Sequence, residues 1–299
     1  MVKRWLGIMS LMVLAGVIAA GGLAAPGMAA TYGQPVDMQI GMQLPASEVA
    51  RDIDNFYALV NFIIICIVLF VLVLLVYAMY RFSEKRNPTP SRTTHHALLE
   101  VAWTVVPIII LVAIAVPSFK LLNLQYAFPK PDITIKATGF QWYWSHEYLD
   151  HGGFSFDSVM LQDDERQERI DEGIPSPRNL AVDNEVILPV NKVVHVLVTA
   201  QDVIHSWAMP SMGAKVDAVP GRVTATWFKP EVEGVFYGQC SELCGKDHAF
   251  MPIAIRVVNE ATFNAWAEAM QANDKKKARE IIREVSLQQA QQNVASAQQ

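Results

Sequence analysis

The apolar positions of this chain fall into three long blocks before residue 120, followed by short alternating runs. The first block, Leu6 to Ala20, comes after Lys3 and Arg4 and gives way to small residues around Ala29 and Ala30. That layout predicts a bacterial secretory signal over 1–30, with 31–55 as an external N-terminal segment. The second block, Phe56 to Tyr80, has no charged residue, and the third, Leu98 to Val116, is interrupted only by Glu100 and Pro107. A membrane span needs about 20 apolar residues, so both qualify. Between them "RFSEKRNPTPSRTTHH" (81–96) carries Arg81, Lys85, Arg86 and Arg92. A short basic loop stays on the cytoplasmic side. The expectation is a transmembrane helical hairpin over 56–120, with both flanking segments outside.

From 129 to 258 the period changes to two. "DITIKATGFQWYWSHEY", "NKVVHVLVTA", "RVTATWF", "GVFYGQC" and "IAIRVV" are rich in β-branched and aromatic residues and are bounded by Pro220-Gly221, Gly234 and Asn259. This predicts an all-β sandwich. In "QWYW", alternation places Trp142 and Trp144 on one face and Tyr143 on the other. "LQDDERQERIDEGIPSPRN" reads as a solvated, charged loop. After Asn259, over 259–299, the pattern predicts a C-terminal helix and a disordered Gln-rich tail.

Charge sharpens the picture. Residues 129–258 hold 11 Lys and Arg against 18 Asp and Glu, a net of −7. Nucleic acid is excluded as a partner by sign and by location. An acidic external face suits a basic soluble protein. Glu100 has two readings: a carboxylate snorkelling at the end of its helix, or a functional intramembrane group.

The candidate chemistry lies in "YGQCSELCGKDHAFMP", where Cys240, Cys244, His248 and Met251 follow C-x3-C-x3-H-x2-M spacing, with His205 at another strand end. A structural disulfide suits an oxidising compartment but leaves His205, His248 and Met251 without a role. Zinc takes Cys and His, yet thioether is a poor zinc ligand. No C-x-x-C-H haem motif occurs in the chain. Thiolate, thioether and imidazole together suit copper, and a second cysteine allows two metal ions to share both sulfurs. A membrane-held copper chaperone and a disulfide-bonded structural subunit are the competing readings.

The chain resembles subunit II of the bacterial CuA-containing cytochrome c oxidases, through the hairpin, "GFQWYWSHEY", "DVIHSWAMP", "DAVPGR" and "YGQCSELCGKDHAFMP". The resemblance implies a cupredoxin-like sandwich behind a two-helix anchor, in the bacterial inner membrane, with the sandwich in the periplasm. It implies a dinuclear copper centre held by His205, Cys240, the Glu242 carbonyl, Cys244, His248 and Met251. The Glu242 carboxylate would help hold magnesium or manganese shared with subunit I. Trp142 would receive electrons from cytochrome c, docked on Glu147, Asp157, Asp183 and Asp202. Glu100 would lie at the mouth of a proton path into subunit I. The implied partners are subunit I, the other oxidase subunits and cytochrome c. The implied activity is electron delivery for oxygen reduction coupled to proton pumping by the complex.

Overall fold

A computed structural model describes residues 33–37 and 39–296, so the expected signal segment 1–30 lies outside the described residues. The described chain divides into two compact units, one of residues 55–120 and one of residues 33–54 with 121–296.

Two helices supply the first unit. α1 spans Glu48–Arg81 and α2 spans Ala97–Tyr126. At 1.5 Å per residue they are about 51 and 45 Å long, against about 30 Å of bilayer hydrocarbon. Phe62, Val68, Phe70, Leu75, Trp103 and Leu111 are all exposed on them, as lipid-facing or subunit-facing helices require. α2 continues through Pro107 and Pro117. At the loop, Arg86 stacks 3.5 Å from the centroid of the Tyr80 ring. At the start of α2 the Glu100 carboxylate accepts the His96 N–H at 3.1 Å, and His96 Nδ1 accepts the Leu99 N–H at 3.3 Å. Glu100 thus satisfies a donor that the helix terminus leaves open.

α1 begins well before the apolar block at Phe56, because the helix starts at its cap. The Ser47 hydroxyl accepts the Ala50 N–H at 3.1 Å and donates to the Met212 carbonyl at 2.8 Å. The Ala46 N–H donates to the Ser211 carbonyl at 2.8 Å. The polar first turns therefore belong with the second unit.

That unit is a β-sandwich. β1 (Ile133–Phe140), β2 (Tyr143–Tyr148), β3 (Ser155–Ser158), β5 (Val194–Ala200) and β8 (Thr224–Phe228) form a sheet in the order β3-β2-β1-β5-β8. Its β1–β5 pair is parallel and the others are antiparallel. β4 (Val186–Pro189), β9 (Gly234–Gln239) and β10 (Pro252–Val258) form a second sheet in the order β4-β10-β9. β6 (His205–Met209) and β7 (Ala214–Ala218) pair antiparallel. β1, β2 and β5 alternate buried and half-buried positions, the pattern of a sheet with one face in the core. The Tyr148 hydroxyl donates to the Ile187 carbonyl at 2.8 Å and accepts the Ile187 N–H at 2.9 Å, linking β2 to β4 across the core.

Every residue of β4 and β10 is buried, and the C-terminal region explains why. Where the sequence predicts one helix and a disordered tail, there are two helices, α4 (Glu260–Gln271) and α5 (Lys275–Ser296). α4 is capped by Asn259, whose side chain accepts the Thr262 N–H, and packs Trp266 against Tyr148, Phe154 and Phe156. On α5, Gln289 accepts a hydrogen bond from Arg256 at 2.7 Å and donates to the Val257 carbonyl at 3.1 Å. Arg256 is 2% exposed and also pairs with Glu185. A buried guanidinium needs such partners, so the Gln-rich segment has a folded role that its polar composition hides.

The charged insertion also departs from expectation. Residues Asp163–Asp171 form a helix, α3, which the sequence predicts as loop. It has no apolar stripe. Its support is the carboxylates Asp163, Asp164 and Glu165 in its first turn, which suit the positive end of the helix dipole, and Arg169, which donates to the Val182 and Asp183 carbonyls.

One core group carries a pH consequence. His146 is fully buried, and its Nδ1 lies 3.1 Å from the Ser158 hydroxyl, which itself donates to the Asn184 carbonyl. His146 Nε2 has no partner, and burial pushes the pKa down to about 3. The unfolded chain takes up the proton near the ordinary value while the folded chain does not. Stability is therefore complete above pH about 6.5 and falls below it by up to about 1.4 kcal/mol per pH unit. Thermal unfolding of the detergent-solubilised chain is expected to show a lower midpoint at about pH 5 than at about pH 7.5, with a flatter dependence in His146→Gln.

Candidate metal centre

Three places in the sandwich supply the donors. His205 opens β6, Cys240 follows β9, and Cys244, His248 and Met251 lie in the connection to β10. β6 packs against β9 at a spacing that Gly238 makes possible: a Cβ there would lie 1.8 Å from the Ala208 carbonyl oxygen. The Ser241 N–H, donating to the Ser206 carbonyl at 3.1 Å, ties the start of the loop to β6. At its end, the Trp144 indole N–H donates to the Met251 carbonyl at 3.3 Å.

Cys240 Sγ lies 3.9 Å from His205 Nδ1, 3.9 Å from Cys244 Sγ and 3.4 Å from the Glu242 carbonyl oxygen. Cys244 Sγ lies 3.5 Å from both His248 Nδ1 and Met251 Sδ. His205, Cys240 and Cys244 have donor atoms within 4.8 Å of one another. His205, Cys240, Cys244 and Met251 are buried, His248 is half-buried, and Glu242 is exposed. Both cysteines are free thiols, with sulfurs nearly twice as far apart as the about 2.05 Å of a disulfide.

The two sulfurs do not ionise alike. Burial pushes the Cys240 thiol up, but hydrogen bonds from His205, the Glu242 and Ser206 backbone and His248 outweigh it and bring the pKa down. Cys244 is driven up, first by burial and then by the negative charge of Cys240. One thiolate suppresses the other, as two like charges at this range must. A metal cation relieves that repulsion. Two thiolates, two imidazoles and a thioether form a soft donor set that fits copper.

Asp202 has a second task besides the docking face expected of it. Its Oδ1 lies 2.9 Å from His205 Nε2 and accepts the Val203 N–H at 2.6 Å, while Oδ2 accepts the Gln141 N–H at 2.7 Å. Burial pushes the His205 pKa down, but its bonds to Cys240 and Asp202 outweigh that and raise it. With Nε2 on Asp202, Nδ1 points to the sulfurs, as a carboxylate behind a ligating histidine arranges. Gly139 on β1 makes room for that ring, since a Cβ there would lie 2.9 Å from His205 Cδ2. Sequence reasoning passed over Gly139, although a glycine inside an alternating strand is a signal of close approach.

Trp142 does not share a strand face with Trp144, because β2 begins only at Tyr143. Trp144 is fully buried beside the His205 ring. Trp142 is half-buried, with a buried indole N–H that has no partner. It lies against the cysteine loop: a Cβ on Gly245, whose φ is +128°, would be 3.1 Å from Trp142 Cζ2.

The proposed docking carboxylates occupy different settings. Burial, then the charges of Asp157 and Asp202, raise the pKa of Tyr143, so these two contribute negative potential at the Tyr143 hydroxyl. Glu147 pairs with Lys136 at 3.7 Å. Asp183 accepts the Val159 and Asn184 N–H groups, both at 2.7 Å. Asp157 and Asp183 also line a cavity of about 710 Å³ that Arg169, Lys275, Arg279 and Arg283 line as well.

A methyl group at Gly139 would push the His205 ring off its place without touching a donor atom. Gly139→Ala is expected to weaken metal binding by about ten- to a hundredfold, the range for losing the support of a ligand. Competition with a chelator measures it.

Comparison with known proteins agrees with this architecture. Residues 133–258 match the family described as "Cytochrome C oxidase subunit II, periplasmic domain", and residues 35–121 match "Cytochrome C oxidase subunit II, transmembrane domain". A probable cytochrome c oxidase subunit 2 of Rickettsia bellii is 48% identical over 233 residues, covering 78% of this chain and 84% of that protein. The cytochrome c oxidase subunit 2 of Cereibacter sphaeroides is 46% identical over 248 residues, covering 79% and 82%. The crystal structure of the periplasmic domain of subunit II from Bradyrhizobium japonicum is 57% identical, covers 49% of this chain and 98% of that one, and gives a TM-score of 0.44. The chain, with two membrane-length helices and a cupredoxin-like β domain, belongs to the cytochrome c oxidase subunit II family.

Proposed function

We propose that this chain is the electron-accepting subunit of a cytochrome c oxidase, taking electrons from reduced cytochrome c and passing them to haem in subunit I. The observation that carries the reading is the convergence of two buried free thiols, two imidazoles and a thioether within a few ångströms. His205, Cys240, the Glu242 carbonyl, Cys244, His248 and Met251 would hold two copper ions. Bound there, they would supply one-electron redox chemistry.

The chain's own residues provide the conditions for that chemistry. Asp202 fixes the tautomer and direction of His205. Trp144 anchors the Met251 end of the loop through the carbonyl. Burial of both cysteines and Met251 excludes water, and donors fixed on β6 and in the β9–β10 connection limit rearrangement when charge changes. A copper chaperone needs labile, exposed ligands, and this burial speaks against one.

In the wider reading, Trp142 receives the electron beside Asp202 and Asp157, with Glu147 and Asp183 as outer members of the acidic docking face. The exposed Glu242 carboxylate is free to help bind magnesium or manganese against subunit I. Glu100, at the start of α2, stands at the proton-path mouth, and its bond to His96 would hold the carboxylate in position. The domain assignment is a signal over 1–30, an external segment over 31–55, a hairpin over 56–120 with a cytoplasmic loop, a periplasmic copper domain over 129–258 and a C-terminal region over 259–299. The membrane is the bacterial inner membrane. Oxygen reduction and proton pumping belong to the assembled complex.

Metal analysis and electron paramagnetic resonance of the purified oxidase test the core of this. Two coppers assigned to this subunit are expected, with the unpaired electron split by both nuclei. Met251→Leu should keep both coppers while changing that splitting. One copper, or none with Cys240 and Cys244 joined as a disulfide, overturns the reading.

A further inference from the structure

Gln141 sits at a junction that no ligand assignment uses. Its backbone N–H donates to Asp202 Oδ2 at 2.7 Å, and its side-chain Nε2 donates to the Cys244 carbonyl at 2.8 Å. The other oxygen of Asp202 holds His205. The sulfur of Cys244 contacts both His248 and Met251. Trp142 is covalently next in the chain. One residue thus touches the support of the histidine on β6, the backbone of the cysteine loop and the aromatic residue at the rim.

The glycine next to Cys244 shapes the same contact. A Cβ on Gly245 would lie 3.1 Å from Gln141 Nε2 and 3.1 Å from Trp142 Cζ2. A side chain at 245 would crowd the amide and the indole where they lie together on the loop, and the φ of +128° also favours glycine. Against this surface the amide of Gln141 is chemically selected. The Cys244 carbonyl needs a donor, and a carboxylate of the same shape would present lone pairs to lone pairs.

We propose that Gln141 is a positioning residue that clamps Trp142 to the cysteine loop, setting the gap across which electrons reach the metal centre. The inference rests on the electron-transfer reading above. In the step concerned, ferrous cytochrome c loses one electron and becomes ferric, and the centre is reduced by that one electron. Gln141 takes no electron itself; it holds donor-side aromatic and acceptor-side loop at a fixed distance. The backbone bond to Asp202 does not depend on the side chain at 141, proline apart, so the side-chain bond can be removed alone.

The test uses Gln141→Glu, which keeps the shape and reverses the polarity, and Gln141→Met, which removes the donor, each in the full-length chain. Hydrogen exchange on the copper-free chain is expected to speed up about tenfold at the amides of Cys244 to Asp247, the scale of losing one hydrogen bond. In the assembled oxidase, the rate of electron arrival from flash-reduced cytochrome c is expected to drop by a similar factor of about ten, with the KM for cytochrome c unchanged. Exchange that stays at the wild-type rate in both variants overturns the clamp. Faster exchange with an unaltered transfer rate overturns its part in electron delivery. Failure of the underlying reading registers elsewhere, in the copper count of the wild-type oxidase, while the exchange measurement needs no copper.

Discussion

Two sulfur atoms 3.9 Å apart in a buried site cannot both carry negative charge unless a cation lies with them. That constraint organises everything around the centre. The cation-binding form needs imidazoles with a lone pair directed at the site, so His205 must be held by its far nitrogen. It needs a dry pocket, so the cysteines and Met251 lie under the sandwich core. It also needs the donors in place beforehand, since a loop that must reorganise gives up binding energy to ordering. The β6–β9 contact, the Ser241–Ser206 bond and the Trp144–Met251 bond provide that order.

How much of this is legible in the sequence depends on how local the signal is. Cys240, Cys244, His248 and Met251 lie within one loop, and their spacing raises a soft metal site as a reading beside a disulfide. His205 is visible as a histidine at a strand end, but its link to Cys240 is a tertiary fact. Asp202 shows where spacing gives half the answer: three residues before His205, it looks like a surface carboxylate, and its contact with the imidazole appears only when the backbone turns. Trp142 and Trp144 look equivalent by alternation, yet the turn at Gln141 puts them in different places. The membrane helices are plain from apolar length, although the start of α1 is not, because a cap at Ser47 carries no hydrophobic signature.

The C-terminal region shows the opposite failure. Its glutamines and alanines suggest disorder, while Gln289 satisfies both a buried guanidinium and a strand carbonyl. A polar side chain that reaches into a core is invisible to patterning, because patterning counts it as surface. α3 escapes for a related reason: charge–dipole complementarity and Arg169 support it without any apolar stripe.

Gly238 bears on how such a centre can vary. His205 opens β6 and Cys240 directly follows the neighbouring β9, so the separation of backbones, rather than the reach of side chains, acts as the ruler between them. That ruler is already at contact, with Ala208 leaving no room for a methyl group at Gly238. Variation in the size of the bound ion or in its coordination is therefore confined to the 240–251 connection, whose length and turns can change while the strand pair stays rigid. Redesign of the centre for another soft metal would begin in that loop and leave the strands alone.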